Sequence, residues 1–213
     1  MAATPATSTT PLTAAAPTPS SSTLPPTIAT TSSSSSFDFP REYNFPPFFT
    51  RQTNLTTLHS QLEKWSSLIL SYCRHHRLFR VSLSYEGTPY EDLFRNRRLG
   101  RALRLADARE VLEFMRKESR AEVVGSGGGG GDVYWIYWRT PEEWAALVEA
   151  WVDETAQKGT VLTLYELTEG EAVRGTEFYG LDPELLQKAL QVLVKRGKAQ
   201  IFGQEDQQGV KFF

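Results

Sequence analysis

Cysteine is almost absent from this 213-residue chain: Cys73 stands alone, which excludes an intrachain disulfide framework and a cysteine-based zinc site. That scarcity fits a reducing compartment. Histidine is also scarce, with only His59, His75 and His76, and none has a spacing that gives Cys73 a nucleophile–base partner. Long hydrophobic runs are missing. The run Val133–Trp138 falls far short of the roughly 18 apolar residues that a membrane helix needs. No sign of charge dominates, and a net charge of −2 argues against coating DNA or anionic membrane. The N-terminal stretch has no basic region, no apolar core and no arginine, so neither a secretory leader nor a mitochondrial presequence is expected. The expectation is a cytoplasmic protein.

Residues 1–36 lack charged side chains altogether. They are Ala, Ser, Thr and Pro, with only Met1, Leu12, Leu24 and Ile28 breaking the pattern. Such a segment cannot bury enough apolar surface to offset the entropy of ordering, so it is predicted to be disordered. The whole charge balance therefore falls in residues 37–213, where 40% hydrophobic and 12% aromatic content for the whole chain can support real cores.

At that boundary lies Tyr43-Asn44-Phe45-Pro46-Pro47-Phe48-Phe49-Thr50. The paired prolines fix φ and lack N–H donors, which excludes a helix interior or a central strand. The segment is expected to run extended, near polyproline II, projecting Phe45, Phe48 and Phe49 from a stiff rod. Two readings follow. The rod docks in a partner's groove, or its rings pack on the chain's own domain as a strap. Burying one Phe contributes roughly 1.5–3 kcal/mol, while association costs about 4–15 kcal/mol. Phe48 and Phe49 alone therefore cannot hold a partner; Phe39, Tyr43 and Phe45 would have to join in.

Beyond it, Leu55, Leu58, Leu62, Trp65, Leu68, Ile69 and Tyr72 form one apolar face over Asn54–His76, with Thr53 or Asn54 as cap. Asn54-Leu55-Thr56 matches a glycosylation acceptor, but the cap reading is the expected one. Val81, Leu83 and Tyr85 alternate as a short strand, and Gly87-Thr88-Pro89 ends it. Helices are predicted around Tyr90–Arg97 and Ala106–Glu118. Strands follow at Ala121–Val124 and Val133–Trp138, joined by the glycine run 125–131.

The second half repeats the order. Thr140-Pro141-Glu142-Glu143 carries a cap, a first-turn proline and a capping box. Trp144, Leu147, Val148, Trp151 and Val152 are the buried stripe behind it, and Gly159 is expected to end the helix. Val161-Leu162 is a short strand and Tyr165–Leu167 a helical turn. Asp182-Pro183-Glu184 opens a third helix, and Ala199–Phe202 pairs with Val210–Phe213 as a closing hairpin. Three helices with an early strand and a final hairpin are the winged-helix plan. The expected fold is α+β: two tandem winged-helix domains, residues 37–139 and 140–213, behind the tail 1–36.

Winged helices often read DNA, and Arg95, Arg97, Arg98, Arg101 and Arg104 would suit phosphate. However, the third helices mix signs, with Asp107, Glu110, Glu113 and Glu118 in one and Glu184 in the other. Each carboxylate facing phosphate opposes counterion release. The arginines are read as a solvated face, with DNA binding kept as the alternative function. The glycine run lacks a following Gly-Lys-Ser/Thr, so it is a wing rather than a phosphate cradle. Scattered carboxylates mark out no acid–base pair, and all five tryptophans are expected in cores. No catalytic, cofactor or metal residues are assigned.

Tyr43–Thr50, Trp138-Arg139-Thr140-Pro141-Glu142-Glu143-Trp144, Leu164–Thr168, Gly180-Leu181-Asp182 and Gly209–Phe213 together closely resemble the vacuolar protein sorting protein 25 family. These are the small winged-helix subunits of the endosomal sorting complex ESCRT-II. The similarity runs from about Phe37 to Phe213; the tail 1–36 and the glycine run lie outside it. The resemblance implies a non-catalytic adaptor in multivesicular-body sorting of ubiquitinated membrane proteins, recruited peripherally to endosomes. It implies two copies in a heterotetramer with two larger winged-helix subunits, and no nucleic acid. It further implies that Pro46, Pro47 and Phe49 anchor in a larger subunit, with Phe48 at the variable position and Tyr43 and Phe45 beside them. The second domain would recruit an ESCRT-III subunit. A second alternative takes the prolines as a ligand for generic proline-binding modules, although Phe49 stands where WW ligands carry tyrosine.

Overall fold

The computed structural model describes residues 36–125, 131–203 and 208–213. The disorder expected of the tail, and most of the glycine run, lie outside the described residues.

The first half opens with two 3₁₀ turns, Arg41–Asn44 and Pro46–Phe49. Helix α1 (Leu55–His76) follows, and the Asn54 side chain accepts from the backbone N–H groups of Thr56 and Thr57 at its start. Then come β1 (Arg80–Ser82), α2 (Glu91–Phe94), β2 (Arg95–Asn96) and β3 (Arg101–Ala102). Helix α3 (Leu105–Lys117) and strands β4 (Ala121–Val123) and β5 (Val133–Ile136) complete it. The second half runs α4 (Pro141–Glu154), β6 (Val161–Thr163), α5 (Leu164–Glu169), a 3₁₀ turn at Glu171–Val173, α6 (Pro183–Lys195), β7 (Ala199–Phe202) and β8 (Gly209–Phe212).

Both halves weave their sheets alike. The last strand lies in the middle, the early strand on one side and the penultimate strand on the other: β1-β5-β4 and β6-β8-β7, all antiparallel. The repeat expected from element order thus extends to strand pairing. The reciprocal capping box at Thr140 and Glu143 forms as its spacing predicts, and Thr163 with Glu166 makes a second one at α5.

Three local expectations need correction. The Tyr90–Arg97 helix stops at Phe94, and its tail instead forms one strand of the small β2–β3 hairpin. Helix α4 ends at Glu154, capped at Thr155, several residues before Gly159. The Tyr43–Thr50 segment is not extended but coils into the two 3₁₀ turns, since a proline φ near −65° satisfies a 3₁₀ turn as well as polyproline II.

Two cores form, one on each side of β5. Tyr134 and Ile136 face the core built around α1 and α3, while Trp135 and Tyr137 face the one built around α4 and α6. Trp138 packs against both, 5.5 Å from Phe79 and edge-on to Trp144 at 5.0 Å. Cys73 is fully buried, as a small core residue should be, and burial pushes its thiol pKa upward, away from reactivity. Charged pairs tie the halves together. Arg80 donates to Asp182 at 3.1 Å and lies 4.2 Å from the Trp135 ring, while Arg139 grips Glu177 at 2.9 and 2.5 Å.

Candidate protein-docking site

The proline–aromatic segment splits into an inside and an outside. Phe48 stacks on Trp65, ring centroids 4.4 Å apart and planes 6° from parallel. Phe49 meets Trp65 and Tyr43 edge-on at 5.5 and 5.3 Å. Tyr43 stacks on Phe39 at 4.0 Å and donates its hydroxyl to the carbonyl of Asp92, and burial raises its pKa. All three rings belong to the first core.

Phe45, Pro46 and Pro47 point outward, and Phe45 is 60% exposed. Of the six expected docking residues, then, Tyr43, Phe48 and Phe49 are committed to the chain's own core, and Phe45, Pro46 and Pro47 are free to meet a partner. Rings packed in their own core cannot also fill a partner's pocket without unpacking. At roughly 1.5–3 kcal/mol per aromatic, that would oppose association rather than drive it. The strap reading therefore describes Tyr43, Phe48 and Phe49, and only Phe45, Pro46 and Pro47 remain exposed for docking.

Side chains that the sequence reading passed over hold the segment in place. Gln61 donates through Nε2 to the carbonyls of Phe48 at 2.8 Å and Thr50 at 2.9 Å, and its Oε1 accepts from Gln52 N–H at 3.3 Å. Trp65 Nε1 donates to the Phe48 carbonyl at 3.0 Å. Asn96, on the β2–β3 hairpin, donates to the Tyr43 carbonyl at 2.9 Å. The signal for Gln61 was a polar residue between Leu58 and Trp65 on the apolar face of α1. Asn96 gave none, since a two-residue strand shows no alternation. Beside the turn lies a shallow cleft of about 180 Å³, with Phe45, Pro47 and Phe48 as apolar walls and Gln61 and Lys64 on its helix side.

The arginine run is solvent-exposed, as expected of a solvated face. Arg95 pairs with Glu91 at 2.8 Å, Arg97 with Glu91 at 3.5 Å and Arg104 with Asp107 at 2.8 Å, so neighbouring carboxylates already offset much of the charge a phosphate would need. Among the described residues no group of three or more His, Cys, Asp or Glu side chains could hold a metal ion. No helix there is long and apolar enough to cross a membrane.

A second exposed apolar surface lies on the outer face of β6-β8-β7. Val161 and Phe202, 59% and 41% exposed, stand on the two outer strands, Val161 paired with Lys211 and Phe202 with Gly209 of β8. Tyr165 and Phe213 are also exposed.

A family model described as ESCRT-II complex subunit matches residues 42–182, a span that begins beside the proline–aromatic segment and ends at the cap of α6. Vacuolar protein-sorting-associated protein 25 of Homo sapiens is 42% identical over 178 residues, covering 84% of this chain and 98% of the human protein. Its Drosophila melanogaster counterpart is 36% identical over 179 residues, covering 84% and 99%. This chain belongs to that family. The crystal structure of subunit VPS25 of the endosomal trafficking complex ESCRT-II matches with a TM-score of 0.74 at 28% identity, covering 82% of this chain and 98% of that one. A chain of the crystal structure of the endosomal complex ESCRT-II (VPS22/VPS25/VPS36) matches at 0.73 and 28%, covering 81% and 98%. The family is thus one of subunits of an endosomal trafficking complex, and a DNA-reading role is not favoured.

Proposed function

We propose that this chain is a non-catalytic adaptor that joins two larger ESCRT-II subunits through the exposed arc Phe45-Pro46-Pro47, with Tyr43, Phe48 and Phe49 shaping that arc from within. The observation that carries the reading is the division of one short segment into three buried rings and an apolar tip left in solvent. An exposed Phe beside two prolines loses little entropy on docking, but one ring does not offset the cost of association, so folded surface beside the arc has to join the contact. The assembly would hold two copies of this chain, as the family resemblance implies. The two halves, residues 37–139 and 140–213, act as tandem winged-helix domains used for protein contact. The second offers its outer sheet face, with Val161 and Phe202, as the surface for an ESCRT-III subunit. The chain would work in multivesicular-body sorting of ubiquitinated membrane proteins, reaching endosomes through the complex from the cytoplasm.

A pull-down with Phe45→Ala plus Pro47→Ala tests the docking. Capture of the larger subunits should fall at least tenfold while the chain's own fold persists. Undiminished capture would sink the proposal.

A further inference from the structure

We infer that Gln61, Trp65 and Asn96 are positioning residues for docking: they fix the backbone on both sides of Phe45-Pro46-Pro47 so that the arc meets its partner already formed. The inference rests on the docking role proposed above and goes beyond it, because the three side chains act on the segment's backbone and not as its exposed contact.

The segment has little of its own to hold it. Pro46 and Pro47 have no N–H to give, which leaves short-range bonds such as Phe48 N–H to the Phe45 carbonyl at 2.9 Å and Thr50 N–H to the Pro47 carbonyl at 3.1 Å. Gln52, just past the segment, adds bonds from its side chain to the Pro47 and Thr50 carbonyls at 3.1 and 2.8 Å, and further grip comes from side chains anchored on α1 and the β2–β3 hairpin. On the N-terminal side of the arc, Asn96 holds the Tyr43 carbonyl. On the C-terminal side, Gln61 and Trp65 share the Phe48 carbonyl, and Gln61 adds the Thr50 carbonyl and the Gln52 N–H. The exposed arc is what lies between these anchors.

The clamp is also buried where polarity is costly. Gln61, Asn96 and Trp65 are only 9%, 4% and 1% exposed. A buried amide is tolerated only when its donors and acceptors are met. Gln61 meets them on the segment, at a position of α1 where leucine or methionine would pack as well. A turn held this way has already lost the backbone freedom that a loose one would surrender on binding.

The test uses the full chain and the purified pair of larger ESCRT-II subunits. Gln61→Met keeps the length of the side chain and removes its hydrogen bonds; Trp65→Phe removes one donor and keeps a ring, in case the first variant does not fold. Three readouts are combined: backbone amide exchange, binding by calorimetry, and the same substitutions in a Phe45→Ala background. Exchange at Phe48 and Thr50 should quicken while α3 stays protected. Affinity should fall by about three- to thirtyfold with a less favourable entropy. In the Phe45→Ala background most of that loss should vanish, since the clamp acts through the arc. Faster exchange with unchanged affinity would overturn the inference, and so would an affinity loss of equal size in both backgrounds. If Phe45→Ala itself binds like the unaltered chain, the docking reading has failed, and positioning falls with it.

Discussion

Replacing Phe49 with alanine and, separately, Phe45 with alanine should separate folding from binding within five residues of sequence. Phe49 is 3% exposed and meets Tyr43, Phe48 and Trp65 at centroid distances of 5.3, 5.9 and 5.5 Å. Truncating a buried Phe in such a site costs about 3–5 kcal/mol through lost transfer energy and the cavity left behind. Set against a typical total of about 5–15 kcal/mol, that is a large share of stability. With a urea slope of about 1–3 kcal/mol per molar, the unfolding midpoint of the chain should drop by about 1 M or more. Phe45 is 60% exposed, so its truncation should cost less than about 1 kcal/mol and leave the midpoint nearly in place. Urea titration of the isolated chain provides the assay, followed by tryptophan fluorescence because Trp65 stacks directly on Phe48. Binding to the larger subunits is measured on the same samples below the transition. The reasoning fails if Phe49→Ala lies within about 1 kcal/mol of the unaltered chain while losing partner affinity, for then the ring is a plug and not a core residue.

Two further outcomes follow from the geometry. Arg139, hydrogen-bonded to Glu177, holds the Glu177 carboxyl below its ordinary value, with Arg74 and Arg77 adding charge. A depressed carboxylate contributes stability above its unfolded pKa and loses it as pH falls through the folded one. The melting difference between the unaltered chain and Glu177→Gln should therefore be full near pH 7 and shrink below about pH 4; a difference that grows on acidification would contradict it. In thermal melts, Gly170→Ala should destabilise by about 1–3 kcal/mol, because an added Cβ would lie 2.4 Å from the Glu166 carbonyl oxygen. Gly175→Ala, with no atom within 4 Å of the added carbon, serves as its control, and equal melting of the two variants would refute the clash.

Periodicity and caps carried most of the architecture into view before any coordinates. The apolar stripes of α1, α3, α4 and α6 announce themselves at helical spacing, and Thr140, Asp182 and Asn54 mark starts that the structure confirms by hydrogen bonds. What stayed hidden has physical reasons. The β2 and β3 strands are two residues each and rich in arginine, too short to show alternation. Pro46-Pro47 excludes an α-helix interior and a central strand, but φ alone does not distinguish polyproline II from a 3₁₀ turn. That choice depends on ψ, and here tertiary contacts settle it through Gln61 and Trp65. The segment's stiffness and aromatic content were therefore legible in the sequence, while the burial of Tyr43, Phe48 and Phe49 and the exposure of Phe45 were not. Exposure is a property of what packs on a residue, and the ring on which Phe48 and Phe49 both pack, Trp65, lies far along the chain on α1.

Strand β5 bears on how the two halves of the chain can work together. A strand buried on both faces reads as a continuous apolar run, and Tyr134-Trp135-Ile136-Tyr137 is one because its alternate residues enter different cores. Neither half could be cut away without stripping the cover from the other's aromatic residues. Arg80 reinforces the union: its guanidinium lies over Trp135 while binding Asp182, the same carboxylate that caps α6. Lys188 adds to it from α6, bonding Glu122 at 2.7 Å and the Tyr137 hydroxyl at 3.0 Å. Residues 37–213 accordingly form one compact unit instead of two beads on a linker. Domains joined by a flexible linker communicate only through effective concentration. Halves that share a strand hold a fixed orientation, so the docking proposed for the Phe45 arc would also set the direction in which the β6-β8-β7 face points.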